Sequence, residues 1–399
     1  MAQLSWIKCS LALLLLLLLA PIARAESPPG MPAAGPAEIV REQLQNLDTR
    51  PIEQFLREVN RTWEGYGPQI SLQDFLEIYK GEESSKYSLK VILTGIIRYL
   101  VREILANAGL LVKLVVLAIV AAILQHLQSA FGAEGTGKIA YWVVYLVLIG
   151  IAVTGFGLAV ATAKEVMDAL NSFMLAILPT LLTVLIAMGG LASAAIFQPL
   201  MVTLTTTAAT VIVNVVFPLA FLAAMLEIVS GLNENFKLNN LAGLLKQGAT
   251  WTMGLTTTIF MGTVAVKGAA GAVADGVTLK TAKFFVGNFI PVVGKTFADA
   301  ADLITGSSIL LKNGLGLLGA AVIFFLAVFP LLKILSLVWV YQIAAALVEP
   351  AGAGNIGKML TTMAKSLQMV FAAVGLVTLM FLVSITVIVG AANMTVMVR

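Results

Sequence analysis

From Ile104 to the last residue, long apolar runs follow one another with few charged side chains between them. The whole chain is 59% hydrophobic and only 12% charged, whereas soluble domains carry about 25% charged residues. A helix needs about 20 apolar residues to cross bilayer hydrocarbon, and these runs have room for about seven such helices. Because hydrocarbon offers the backbone no hydrogen-bond partner, each crossing segment must be helical. The sequence therefore predicts an all-α polytopic membrane protein.

We take residues 104–399 as the transmembrane domain. The predicted spans are residues 104–127, 139–162, 173–196, 200–229, 249–272, 314–346 and 367–392. Between the fifth and sixth of these spans, residues 276–312 are apolar in patches but carry the charged residues Lys280, Lys283, Lys295, Asp299 and Asp302. This mixture predicts an amphipathic or re-entrant pair of half-helices rather than a free loop.

Residues 1–25 have the layout of a secretory signal peptide. Lys8 supplies a positive charge, Leu11–Ala20 forms a short apolar run, and Ala23-Arg24-Ala25 matches a small-residue cleavage site. We expect cleavage to leave Glu26 as the new N-terminus outside the membrane. An uncleaved anchor is the alternative interpretation.

Residues 26–87 form a short, more polar segment that we expect to be helical and extracytoplasmic. Within it, Ile52, Phe55, Leu56 and Val59 recur at helical spacing. Such a stripe predicts an amphipathic helix that lies against the membrane or a partner.

Residues 88–103 join this segment to the first span. They combine aliphatic side chains with Lys90, Arg98 and Arg102. Aliphatic and basic residues on one short helix are typical of the membrane interface, so we predict an interfacial helix here.

Four prolines, each predicted as a helix break, fall into two pairs with the same spacing of 112 residues. Pro179 is paired with Pro291, and Pro218 with Pro330. The spacing suggests two halves, residues 164–272 and 276–390, each with three membrane segments. Three segments per half give an inverted repeat, an architecture used by transporters. Chance similarity between apolar sequences is the alternative.

Ionisable groups within spans are costly and often functional. The candidates for lining a pathway or bracing helices are Lys113, Glu227, Lys333, Asp299 and Asp302. The competing interpretations are snorkelling of long side chains to an interface and, for the two aspartates, the solvated face of an interfacial helix. Threonines at 203–210 and 256–258 are expected to serve helix packing, with a hydrophilic lining as the alternative.

The sequence has few of the residues that form metal and catalytic sites. The one cysteine, Cys9, lies in the signal, and the one histidine, His126, is placed at the end of the first span. We therefore expect no thiolate or multi-histidine metal site and no cofactor. The net charge of +4 is scattered, which does not favour nucleic-acid binding. The sequence contains no Walker-type phosphate loop, and we expect no enzymatic activity.

Two segments match the G-x-G-x-x-G pattern of dinucleotide sites, namely Gly314–Gly319 and Gly352–Gly357. Neither follows a strand, which the dinucleotide motif requires. We interpret the first as small residues that allow close helix contact and the second as a turn after Pro350.

The layout as a whole resembles a known family. A cleavable signal precedes a helical segment with the stretch Asp74–Glu82 (DFLEIYKGE), and many spans follow, carrying Phe217-Pro218 and Phe329-Pro330. This arrangement is similar over nearly its full length to the stage III sporulation protein AE family of endospore-forming bacteria.

The resemblance implies a non-enzymatic, multi-pass component of a channel or secretion-like apparatus that joins the mother cell and the forespore. The family's setting implies the mother-cell membrane around the forespore, with membrane lipid, a separate ATPase and ring-forming subunits as partners. A secondary transporter for a small solute and a membrane scaffold are the alternative functions.

Overall fold

The computed structural model describes residues 50–66, 69, 71, 89–131, 136–232, 238–289, 293–352 and 354–397. The predicted signal and its cleavage site lie outside these residues, as does the stretch Asp74–Glu82. Side chains of residues 276–310 are likewise outside the description. In the described ranges all regular structure is helical, which confirms the all-α prediction.

The helices are α1 (Arg50–Trp63), α2 (Leu89–Ala106), α3 (Ala108–Phe131), α4 (Thr136–Ala187), α5 (Leu191–Val211), α6 (Phe217–Leu232), α7 (Asn239–Phe289), α8 (Val293–Val348) and α9 (Gly354–Met397). A π-helical turn, Ile212–Val216, joins α5 to α6, and a 3₁₀ turn, Glu349–Ala351, precedes α9.

Within the described residues, six helical stretches are long and apolar enough to cross a membrane. They are Ala108–Leu127, Ile139–Ala187, Leu191–Gly231, Asn239–Asp275, Leu311–Ala351 and Gly354–Gly390. The sequence indicated about seven, and the difference arises mainly in α4. There one helix of 52 residues carries the predicted span 139–162 and most of 173–196.

Charged residues separate the two predicted spans on α4 without ending the helix. Lys164, Glu165 and Asp168 are exposed on its surface. A helix ends where a residue or cap terminates its backbone hydrogen bonds, and these residues are compatible with a helix interior. Hydropathy therefore falls at these three residues, although the helix continues through them.

The stretch 276–312 is helical from both sides. α7 runs into it as far as Phe289, and α8 begins at Val293. It is thus made from the ends of two long helices, where the sequence predicted separate half-helices. Pro291 lies outside the described residues.

Two of the prolines predicted as helix breaks lie inside helices. Pro179 is within α4 and Pro330 is within α8. Neighbouring groups in a helix bundle can accommodate a proline without ending the helix. Just after Pro179, the Thr183 hydroxyl donates to the Pro179 carbonyl at 2.8 Å, the usual bond from a threonine to the carbonyl four residues earlier.

Pro218 does change the helix. Proline has no N–H to donate to the carbonyl four residues earlier, and its ring would press on that carbonyl. The chain responds with the π-helical turn just before it, in which the Phe217 N–H donates to the Ile212 carbonyl. π-helix occurs in proteins mostly as single turns of this kind inside longer α-helical stretches.

The core is centred on α8 and α9, which pack along each other. α4 packs across both, while α7 covers another side of α9 together with α5 and α6. Glycines allow the closest approach: a Cβ at Gly319 would lie 2.7 Å from Ile177 Cδ1 and 3.0 Å from Ile385 Cδ1. Gly316 packs similarly against Val389. The interpretation of Gly314–Gly319 as a helix-contact segment is confirmed.

The amphipathic helix α1 packs on the bundle of its own chain. Its apolar stripe is buried against α4 and α8. Phe55 meets Phe173 edge-to-face at 5.2 Å, and Trp63 lies 5.2 Å from Phe325 and 5.5 Å from Phe329, between ring centroids. The stripe that predicted contact with a membrane or a partner is therefore covered within the chain. The inverted repeat remains a prediction.

Candidate functional site

A half-buried ion pair links α6 to α7. The Lys246 ammonium donates to Glu227 Oε1 at 2.6 Å, and the two side chains are 24% and 23% exposed. A charged group in an apolar helix is costly unless it is paired. The arrangement braces the hairpin between α6 and α7.

A buried carboxylate caps the first turn of α5. Asp275, on α7 and 1% exposed, accepts from the Ala192 N–H at 2.8 Å and from the Ser193 N–H at 3.1 and 3.3 Å. The residue at the N-cap position is Gly190, which has no side chain to serve these amides. Asp275 therefore supplies from a distant helix the cap that the local sequence lacks.

Glycines allow the tight turn between α4 and α5 and its close contact with α7. Gly189 has φ of +89°, a left-handed conformation that ends α4, and the Gly190 N–H returns to the Leu185 carbonyl at 2.9 Å. A Cβ at Gly271 on α7 would lie 2.8 Å from the Ser193 hydroxyl. The junction between α4 and α5 is thus pressed against α7.

A polar contact ties the junction of α2 and α3 to α8. The Asn107 amide donates to the Glu103 carbonyl at 2.8 Å and to the Ser336 hydroxyl at 3.3 Å. The Ser336 hydroxyl in turn donates to the Lys333 carbonyl at 2.8 Å. Lys333 itself is half-buried.

His126 lies where α3 meets the turn between α8 and α9. Its Nε2 is 3.1 Å from the Ala351 carbonyl. Gly352, at φ of +77°, leaves room for the ring, since a Cβ there would lie 2.7 Å from the same nitrogen. The imidazole therefore holds a helix end to a turn.

The remaining predicted residues do not assemble into one site. Lys113 is exposed on α3, and the side chains of Asp299 and Asp302 are outside the described residues. Among described side chains, Lys113, Glu227 and Lys333 share no hydrogen bond or ion pair with one another. The structure instead places each on a different helix.

Sequence reasoning missed Asp275 and Lys312. Both are 1% exposed; Asp275 precedes the stretch 276–312, whose charges marked it as intermediate, and Lys312 is its last residue. A charge at the edge of an apolar run resembles an interfacial residue by sequence. Only burial distinguishes such a residue from a group that contacts a neighbouring helix.

The threonine hydroxyls serve mainly their own helices. Thr205 donates to the Met201 carbonyl at 2.7 Å, and Thr256, Thr257 and Thr258 each donate to the carbonyl four residues earlier. Thr206 reaches across from α5 to Asn171 on α4 at 3.1 Å. In the part of the chain with described side chains, no three His, Cys, Asp or Glu residues are grouped to hold a metal ion. Of these threonine contacts, the one between Thr206 and Asn171 joins two helices.

Comparison with known proteins shows the family to which this chain belongs. The model of the family described as stage III sporulation protein AE matches residues 70–392. The stage III sporulation protein AE of Bacillus subtilis (strain 168) is 41% identical over 362 residues, covering 91% of this chain and 90% of that protein. No solved structure matches the chain. The chain belongs to the stage III sporulation protein AE family.

Proposed function

We propose that the chain is a non-enzymatic, multi-pass subunit of a channel or secretion-like apparatus between mother cell and forespore. Its place would be the mother-cell membrane around the forespore. The observation that carries the proposal is membership of a sporulation family by a chain with six long apolar helices in its described part.

The packing of the bundle favours a scaffolding contribution to that apparatus. α8 and α9 pack along each other, and the side chains they bury are aliphatic and aromatic, including Phe329 and Tyr341 of α8 and Leu367 and Phe381 of α9. Apolar interiors of this kind hold helices in one arrangement. We propose that any passage forms between this subunit and its partners, and that a separate ATPase and ring-forming subunits complete the machine.

Deletion and compartment-specific complementation test this function. The gene is removed from an endospore-forming host and restored from either a mother-cell or a forespore promoter. We expect heat-resistant spores only when the mother cell makes the protein. Rescue only from the forespore would contradict the proposed location. Slow vegetative growth together with normal sporulation would contradict the proposed function and favour a solute transporter.

A further inference from the structure

The outward face of α2 is both cationic and aliphatic. Lys90, Arg98 and Arg102 are exposed on it. Between them, Ile97 is 59% exposed and Leu105 is 67% exposed. A helix face on which Lys and Arg side chains alternate with aliphatic ones is typical of the membrane interface, where lipid headgroups meet acyl chains.

The other face of α2 is fixed on the protein, so the outward face has a defined direction. Ile96 is buried, Tyr99 meets Phe329 edge-to-face at 4.9 Å, and Asn107 at the end of α2 bonds to Ser336 of α8. Gly95 lies directly against Trp63 of α1. Contacts with α1 and α8 thus leave the cationic arc pointing away from the bundle.

The one acidic residue of α2, Glu103, interacts with Arg102 but does not cancel the positive charge of the exposed face. It is half-buried and interacts with Tyr99, whose pKa is raised first by burial and then by the Glu103 charge. On the exposed side, Arg102 donates to the Tyr66 hydroxyl and lies 5.8 Å from the centre of that ring. Tyr66 therefore orients the guanidinium without supplying a negative charge. With three exposed cations and one half-buried carboxylate, α2 keeps a net positive charge.

Helix α3, which follows α2 in the chain, also exposes aliphatic side chains. There Val112, Val116 and Ile123 are 59%, 52% and 53% exposed on a helix apolar enough to cross the membrane. An exposed aliphatic surface on a spanning helix faces acyl chains. The cations of α2 therefore belong to the helix that precedes this lipid-facing helix in the chain.

We propose that α2 binds the headgroups of anionic phospholipids, with Lys90, Arg98 and Arg102 as the headgroup contacts and Ile97 and Leu105 among the acyl chains. The charge of the face selects phosphatidylglycerol-like lipids over zwitterionic ones. Each basic side chain near an anionic surface contributes about fivefold to binding, so removing two weakens the preference by roughly 25-fold.

Quenching by brominated lipids tests the proposal in the full chain. Two single-tryptophan proteins are reconstituted in phosphatidylcholine, with all other tryptophans replaced by phenylalanine. One carries Ile97→Trp as the reporter on α2, and the other keeps Trp251, which is 72% exposed on α7. A small fraction of brominated phosphatidylglycerol or brominated phosphatidylcholine is then added. We expect phosphatidylglycerol to quench the α2 reporter severalfold more efficiently and the two lipids to quench Trp251 equally.

Charge variants separate headgroup binding from simple exposure. Lys90→Gln with Arg98→Gln should bring the two quenching efficiencies at the α2 reporter much closer together, with a small preference left from Arg102, and high salt should also reduce the difference. The matched control, Arg57→Gln with Arg61→Gln on the exposed face of α1, should leave the preference unchanged. Equal quenching by both lipids in the unaltered charge background would overturn the proposal. Absence of quenching by either lipid would overturn it too, and would show that protein covers this face.

Discussion

At the scale of single residues, two carboxylates, Asp275 and Glu227, serve a helix end and a helix pair. Asp275 caps α5 from another helix because Gly190 cannot. In an apolar environment an unpaired amide costs more than in water, so the cap matters most where water is scarce. The same reasoning applies to Glu227 and Lys246, each of which compensates the other.

Replacing Asp275 should destabilise the junction of α4 and α5. Asp275→Asn removes the charge from hydrogen bonds to two backbone amides, and we expect a loss of about 1–3 kcal/mol in the free energy of unfolding. Unfolding by sodium dodecyl sulfate in mixed micelles measures the change. Asp168→Asn on the exposed surface of α4 is the control and should alter stability by less than about 0.5 kcal/mol. Equal effects of the two changes would contradict the capping role.

The ion pair of Glu227 and Lys246 should show coupling in a double-mutant cycle. Glu227→Leu or Lys246→Leu alone leaves a half-buried charge without its partner, and we expect each to cost about 1–3 kcal/mol. The double variant should cost less than the sum, by at least about 0.5 kcal/mol. The same unfolding assay measures all four proteins, and strict additivity would argue against a bracing pair.

At the scale of elements, α1 and α2 act as one unit on the side of α8. Trp63 of α1 fits between Phe325, Phe329 and the backbone of α2 at Gly95. Because α1 packs against one side of α2, it also helps to fix the direction in which the cationic face of α2 points. The periodicity of α1 predicted that its stripe would be buried, but the surface that buries it comes from residues far along the chain.

A single methyl group at Gly95 should disturb this unit. A Cβ there would press on the Tyr66 carbonyl and lie 2.8 Å from Trp63 Cη2. We expect Gly95→Ala to cost about 1–3 kcal/mol and to make α1 more sensitive to trypsin at Arg57 and Arg61. Gly109→Ala, at an open position on α3, is the matched control and should change neither stability nor cleavage. A neutral Gly95→Ala would mean that α1 packs less closely on α2.

At the scale of the whole molecule, the bundle has a covered centre and an apolar exterior. α8 and α9 are buried along most of their apolar length, while α3 and α7 expose aliphatic side chains. α4, with 52 residues, is about 78 Å long at 1.5 Å per residue. Bilayer hydrocarbon is only about 30 Å thick, so helices of this length must tilt strongly or continue beyond it.

The exterior of α7 should contact lipid, and the site of Trp63 should not. Brominated phosphatidylcholine should quench Trp251 strongly and Trp63 weakly in single-tryptophan proteins, because Trp251 is 72% exposed and Trp63 is 1% exposed. Steady-state fluorescence in proteoliposomes measures both. Efficient quenching of Trp63 would contradict the packing of α1, and protection of Trp251 would show that another protein surface covers α7.

The sequence by itself determined the class of molecule. Apolar length and backbone hydrogen bonding require membrane helices, and the helical spacing of Ile52, Leu56 and Val59 required a buried stripe on α1. These properties are local, so they can be read along the chain. Hydropathy was less informative about the ends of spans, because the charges on α4 lower hydropathy without terminating a helix.

The tertiary structure decided which polar groups meet. Asp275 and Ser193 are 82 residues apart, and Asn107 and Ser336 are 229 apart, so no spacing in the sequence links them. Burial separates Lys312, enclosed at the start of an apolar run, from Lys113, which is exposed within one. The cost of a charge depends on its surroundings in three dimensions, and only the packed helices define those surroundings.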